Sequence, residues 1–184
     1  MLKLSTAQRL GVLLALIAIM ASTRMSHFGT ASLLPDASLA VFLLGGLMLG
    51  RTCGFTVLML AAFGIDVYSA QTATEVGWCF TPAYVGLIPT YGALWLTGIA
   101  LAQRQRFTKP LIAFPVSLLA VGLAFVIANA FWFSMSGQFT SMGAMEFSLR
   151  VARYFPPYLG SAMLYLAPAL VAAAFWQKSR TVTG

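Results

Sequence analysis

Charge is what this chain has least of. Of its 184 residues only 8% are Asp, Glu, Lys or Arg, where a soluble domain gives about a quarter of its length to these four. Apolar residues make up 60% and the mean hydropathy is +0.87, more apolar surface than a soluble core of this size can hide. Soluble enzyme folds are excluded, and the chain reads as an integral membrane protein. Histidine is nearly missing: His27 stands alone, which removes bis-histidine haem sites and the two-histidine zinc motif of membrane metalloproteases. None of the three lysines, Lys3, Lys109 and Lys178, follows a glycine-rich phosphate loop, so there is no ATP site of that kind and an ATP-driven step needs a partner. The two cysteines, Cys53 and Cys79, form no C-x-x-C and are expected at opposite membrane faces, which argues against a disulfide or a thiol relay. Ser161 has no nucleophile-elbow context.

What is abundant is apolar sequence in lengths that suit a bilayer. Six candidate spans are expected, at roughly 5–22, 36–51, 52–68, 82–102, 110–134 and 154–176. The net charge of +7 is scattered over these segments and makes no stripe that could follow a phosphate backbone, so no nucleic-acid partner is expected. Its meaning is topological. With the N-terminus inside, Lys3, Arg9, Arg51, Arg104, Arg106, Lys109, Lys178 and Arg180 are cytoplasmic, while Arg24, Arg150 and Arg153 are outside. That asymmetry satisfies the positive-inside rule and places both termini in the cytoplasm. All four acids, Asp36, Asp66, Glu75 and Glu146, then lie on the outer side. The first apolar stretch has the flanks of a cleavable signal, with Lys3 and Arg9 before it and Ala21 and Ser22 after it. Cleavage would leave five spans and put the ends on opposite faces, so a retained first span is expected. No long polar segment marks a second domain, and residues 1–184 form one six-helix, all-α unit.

Spacing says more than the span count. Asp36, Arg51 and Asp66 are fifteen residues apart, and fifteen helical residues cover about 22 Å, short of the ~30 Å hydrocarbon layer. Arg51 can snorkel, but an Asp side chain is short. Asp66 is therefore expected to face a polar cavity inside the bundle, unless a helix bend or a thin bilayer brings it to the surface.

The outer side gathers Arg24, His27, Asp36, Asp66, Glu75, Arg150 and Arg153, and between them runs Gly77-Trp78-Cys79-Phe80-Thr81-Pro82-Ala83-Tyr84. Cys79 has two readings. It is either a small apolar filler in an aromatic interface belt, or a soft sulfur suited to one axial position of a transition metal already held in a macrocycle. His27 is a water-facing loop residue or a site residue. Arg153, opening Arg-Tyr-Phe-Pro-Pro-Tyr, is an interface anchor or a donor to an anionic or amide-rich substrate. Tyr84, Tyr91, Tyr154 and Tyr158 suit a belt as well as a pocket. Gly11 and Ala15 form a small-xxx-small pair usable for close helix contact.

The residues resemble the BtuM family of small cobalamin transporters, related to the substrate-binding S components of energy-coupling-factor (ECF) vitamin transporters. The resemblance runs over nearly the whole chain. It is carried by Leu34-Pro35-Asp36-Ala37-Ser38-Leu39-Ala40, Phe63-Gly64-Ile65-Asp66, Gly77 to Tyr84, and Arg153-Tyr154-Phe155-Pro156-Pro157-Tyr158, in that order. It implies an S-component-like six-helix bundle in a bacterial inner membrane, with a corrinoid pocket open to the periplasm. It also implies that Cys79 matches the cobalt-coordinating cysteine, with His27, Asp66, Tyr84 and Arg153 matching the other polar site positions. A thiolate on cobalt would displace cyanide from cyanocobalamin, so decyanation at Cys79 is an expected activity. S components work with a coupling subunit and two ATPases, while BtuM proteins resemble solitary ones. Either an ECF module, contacted through the Gly11/Ala15 face, or no partner is implied. Three other readings remain: transport of a different vitamin with Cys79 incidental, a membrane thiol enzyme forming a mixed disulfide at Cys79, and a purely structural subunit.

Overall fold

The computed structural model describes residues 4–24, 34–50, 53–72 and 81–182, and among them all regular structure is helical. Seven α-helices follow one another: α1 (Thr6–Thr23), α2 (Ser38–Leu49), α3 (Gly54–Thr72), α4 (Leu87–Gln103), α5 (Pro110–Met135), α6 (Ala144–Ala152) and α7 (Phe155–Val182). A 3₁₀ turn, Pro82–Gly86, leads into α4, and a second, Arg106–Thr108, joins α4 to α5. The local sequence explains several of these ends. Ser5 and Gln8 form a reciprocal capping box at the start of α1, with bonds of 2.9 and 3.3 Å. Proline opens both α5 and the turn before α4, where its missing N–H has no helical partner to lose.

Among the described residues five segments are long and apolar enough to cross a membrane: Thr6–Thr23, Gly54–Gln71, Pro82–Gln103, Pro110–Met135 and Phe155–Ala173. Large apolar side chains point outward along them, among them Leu14, Leu60, Leu96, Leu119, Val126 and Leu164. A chain with apolar residues both inside and outside is built for lipid. This is an all-helical membrane protein.

The expected span at 36–51 takes a different form. Its helix, α2, has 12 residues, about 18 Å of rise, too short to cross alone. It is nonetheless the most enclosed element, with ten of those residues buried, packed among α1, α3, α4 and α7. The short spacing between Asp36 and Arg51 is accommodated by a short central helix, which stops where Gly50 turns to φ 66°. The connection between α5 and α7, expected as an outer link, contains the additional helix α6.

The centre of the bundle is the contact between α2 and α4. Phe42 stacks on Tyr91 with ring centroids 4.1 Å apart, and Phe55 of α3 meets Phe42 and Trp95 edge-on at 5.7 and 5.6 Å. Backbones touch here because two side chains are missing. A Cβ on Gly46 would run into the Trp95 carbonyl, and one on Gly98 into the Leu43 carbonyl. Backbone cannot step aside as a side-chain tip can. Gly46→Ala and Gly98→Ala are each expected to destabilise the protein by about 1–3 kcal/mol or more, read as a lower unfolding temperature in detergent. Gly11→Ala, where a Cβ meets nothing within 4 Å, is the control and is expected not to lower it, since Ala is the better helix former.

Candidate functional site

One buried arginine organises the polar groups at the end of the bundle where α1 finishes and α2 and α4 begin. Arg24 caps α1 and is only 5% exposed. Its Nε and Nη2 donate to Asp66 Oδ1 and Oδ2 at 2.6 and 2.7 Å, a two-pronged ion pair with an acid of α3 that is itself 14% exposed. The remaining nitrogen, Nη1, donates to Ser38 Oγ at 2.7 Å and to the Tyr91 hydroxyl at 2.9 Å. Asp36 lies 3.9 Å from the same nitrogen. Its Oδ1 accepts from the Ser38 N–H at 2.8 Å and from the Ser38 hydroxyl at 2.6 Å. Tyr84, in the turn before α4, donates to Asp66 Oδ2 at 2.8 Å.

The cluster has an electrostatic logic. Burial works against the Arg24 charge, but the Tyr91 hydroxyl and the Asp66 and Asp36 carboxylates reverse this and hold its pKa above the usual range. One guanidinium faces two carboxylates, so the group as a whole is anionic when both acids are ionised. Of the hydrogen-bonding capacity of Arg24, four N–H groups are used. The side chain is fixed from α2, α3 and α4 at once.

Asp66 and Tyr84, two of the expected site residues, are thus brought into direct contact. Asp66 faces the inside of the bundle among polar groups, and its charge is met there by a protein cation. Arg153 stands apart from this cluster. It is exposed, lies with its guanidinium 4.9 Å from the Tyr154 ring centroid and donates to the Tyr154 hydroxyl at 3.0 Å. His27 and Cys79 fall outside the described residues, as do Arg51 and Glu75. Cys53 is exposed at the start of α3. Among the described residues no group of three or more His, Cys, Asp or Glu could hold a metal ion.

No protein-family model and no curated protein matches the chain. The site therefore stands on its residues.

Sequence reasoning placed Arg24 on the outer side but gave it no partner, and it missed Ser38. The available signal was the Asp36-Ala37-Ser38 triplet, whose Asp carboxylate accepts from the N–H two residues on in the manner of an Asx turn. Tyr91 was noticed as a belt or pocket residue; it is buried, sharing its ring with Phe42 and its hydroxyl with Arg24. Tyr158 packs edge-on against Phe125 at 5.0 Å.

Removing one member of a buried ion pair strands the other, at a cost of about 3–5 kcal/mol, whereas removing both costs far less. Arg24→Met and Asp66→Leu are each expected to be strongly destabilising, and the double variant is expected to recover much of the loss. The check is a double-mutant cycle of unfolding in detergent; additive losses would contradict the pairing.

Proposed function

We propose that the protein binds a corrinoid, cobalamin, from the outer face of a bacterial inner membrane and takes part in its uptake, with the Cys79 thiolate as an axial ligand to cobalt. The observation that carries this reading is the Asp66–Tyr84 hydrogen bond of 2.8 Å. Two site positions that the resemblance singles out, eighteen residues apart, meet at one end of the bundle. In the sequence they bracket the segment that holds Cys79. Behind them Arg24, Ser38 and Tyr91 are buried and bonded to one another and to the two acids, and hold Asp66 and Tyr84 in place. His27 belongs to the segment that follows Arg24, and it joins Asp66, Tyr84 and Cys79 in the proposed substrate set.

The orientation follows from charge. The cluster lies at the start of α4, while Arg104, Arg106 and Lys109 lie beyond its far end, the side the positive-inside rule assigns to the cytoplasm. The cluster and the binding face are then periplasmic, and both termini cytoplasmic. With cyanocobalamin, sulfur donates its electron pair to cobalt as the cobalt–carbon bond to cyanide breaks. Cyanide leaves with the bonding pair and takes a proton from water, and cobalt keeps its oxidation state. Sulfur is soft enough for that exchange where carboxylate or hydroxyl is not. The chain has no phosphate loop, so energy for transport comes from an ECF-type coupling module or from the substrate gradient.

The test is the absorption spectrum of purified protein with added cyanocobalamin, wild type against Cys79→Ala. Corrin bands shifted in the wild type and unshifted in the variant are expected. Unshifted corrin bound equally by both would leave a binding protein without the cysteine chemistry, and no bound corrin in either would overturn the reading in favour of another vitamin.

A further inference from the structure

The helix between α5 and α7 has two apolar faces. Met145, Phe147, Leu149 and Val151 alternate along α6, and at 100° per residue such alternation sends side chains to opposite sides of a helix. Phe147 points inward and is buried, its ring 4.8 Å from both Phe133 and Phe139. Met145 and Leu149 point away, one turn apart, 75% and 71% exposed. The charged residues take a third side, where Glu146 and Arg150 pair at 3.6 Å and Arg153 follows at the helix end.

The place where α6 docks says what covers its outer face. Phe133 stands on α5 seven residues, two turns, beyond Val126, in line with the exposed stripe of Leu119, Leu123 and Val126. This stripe is the lipid-facing side of a 26-residue span, and α6 docks at its end on Phe133 and Phe139; Trp132, packed on Phe139, and Tyr154, two residues after α6, are of the types favoured where lipid meets water. We infer that α6 lies flat in the outer membrane–water interface. Met145 and Leu149 enter the acyl boundary, and Arg150 and Arg153 reach the lipid phosphates. Arg153, exposed and stacked on Tyr154, then serves as a headgroup anchor. This inference does not depend on the identity of the substrate.

Spin labels test it on the full chain in vesicles of phosphatidylethanolamine and phosphatidylglycerol, in a background of Cys53→Ser and Cys79→Ser whose folding is checked by monodisperse elution. Labels at Met145→Cys and Leu149→Cys are expected to collide several-fold more with oxygen than with a water-soluble nickel chelate, and a label at Glu146→Cys to show the reverse. Adding Arg150→Gln and Arg153→Gln is expected to move the first two labels toward water; no movement would remove the two arginines from the anchor. Nickel access at all three sites would overturn the inference. So would protection of Met145 and Leu149 from both reagents, the result for a face covered by protein.

Discussion

A guanidinium cannot sit inside an apolar bundle unless its charge is met, and the arrangement of one end of this bundle follows from how Arg24 solves that problem. Four of its N–H groups are taken up by Asp66, Ser38 and Tyr91. Satisfying one side chain thereby fixes the relative positions of α1, which Arg24 caps, and of α2, α3 and α4. Tyr84 attaches the turn before α4 to the same carboxylate. The solution is over-determined, since an Asp66 that turned away would leave both an unmatched cation and an unmatched anion in a low-dielectric setting, the costliest arrangement available.

The polar cluster and the apolar centre are two ends of one construction. Tyr91 belongs to both: its hydroxyl accepts from Arg24 while its ring stacks on Phe42 at 4.1 Å. Below it, Gly46 and Gly98 let the backbones of α2 and α4 touch, so that α2 is gripped along its length. A second tie reaches α7, where the Tyr165 hydroxyl donates to the Pro35 carbonyl just before α2. In lipid, where apolar surface gives no drive for helices to associate, close packing and interhelical hydrogen bonds are what remain to hold a bundle. Here the two are joined in series through a single aromatic residue.

How much of this could be seen in the sequence depends on whether the controlling interaction is local. Span positions and helical class are written in hydropathy, because lipid imposes one solution on an apolar run of sufficient length. The fifteen-residue spacing of Asp36, Arg51 and Asp66 pointed to an acid within the bundle, but the segment at 36–51, read as a full span, holds a helix of only 12 residues. It could not name Arg24 as the partner, since 42 residues separate it from Asp66 and only the crossing of α1 and α3 brings them together. The helix α6 was hidden for a different reason. Its alternating pattern lacks the one-sided periodicity that marks a helix packed on one face, because it carries an apolar side chain on each of two faces.

The ion pair is not explained by stability. A well-packed apolar pair of similar volume in place of Arg24 and Asp66 would be about as stable, or more so, because desolvating two charges consumes most of what their attraction returns. What an apolar pair could not do is hold Ser38, Tyr91 and Tyr84 in one hydrogen-bonded set. Nor could it hold the chain on both sides of two stretches of sequence: Arg24 and Asp36 flank residues 25–33, and Asp66 and Tyr84 flank residues 73–80. One charge cluster therefore fixes four points of backbone beside the segments that carry His27 and Cys79. A polar network in that place makes physical sense as a device for setting geometry at this end of the bundle, which a dry apolar core could not specify in the same way.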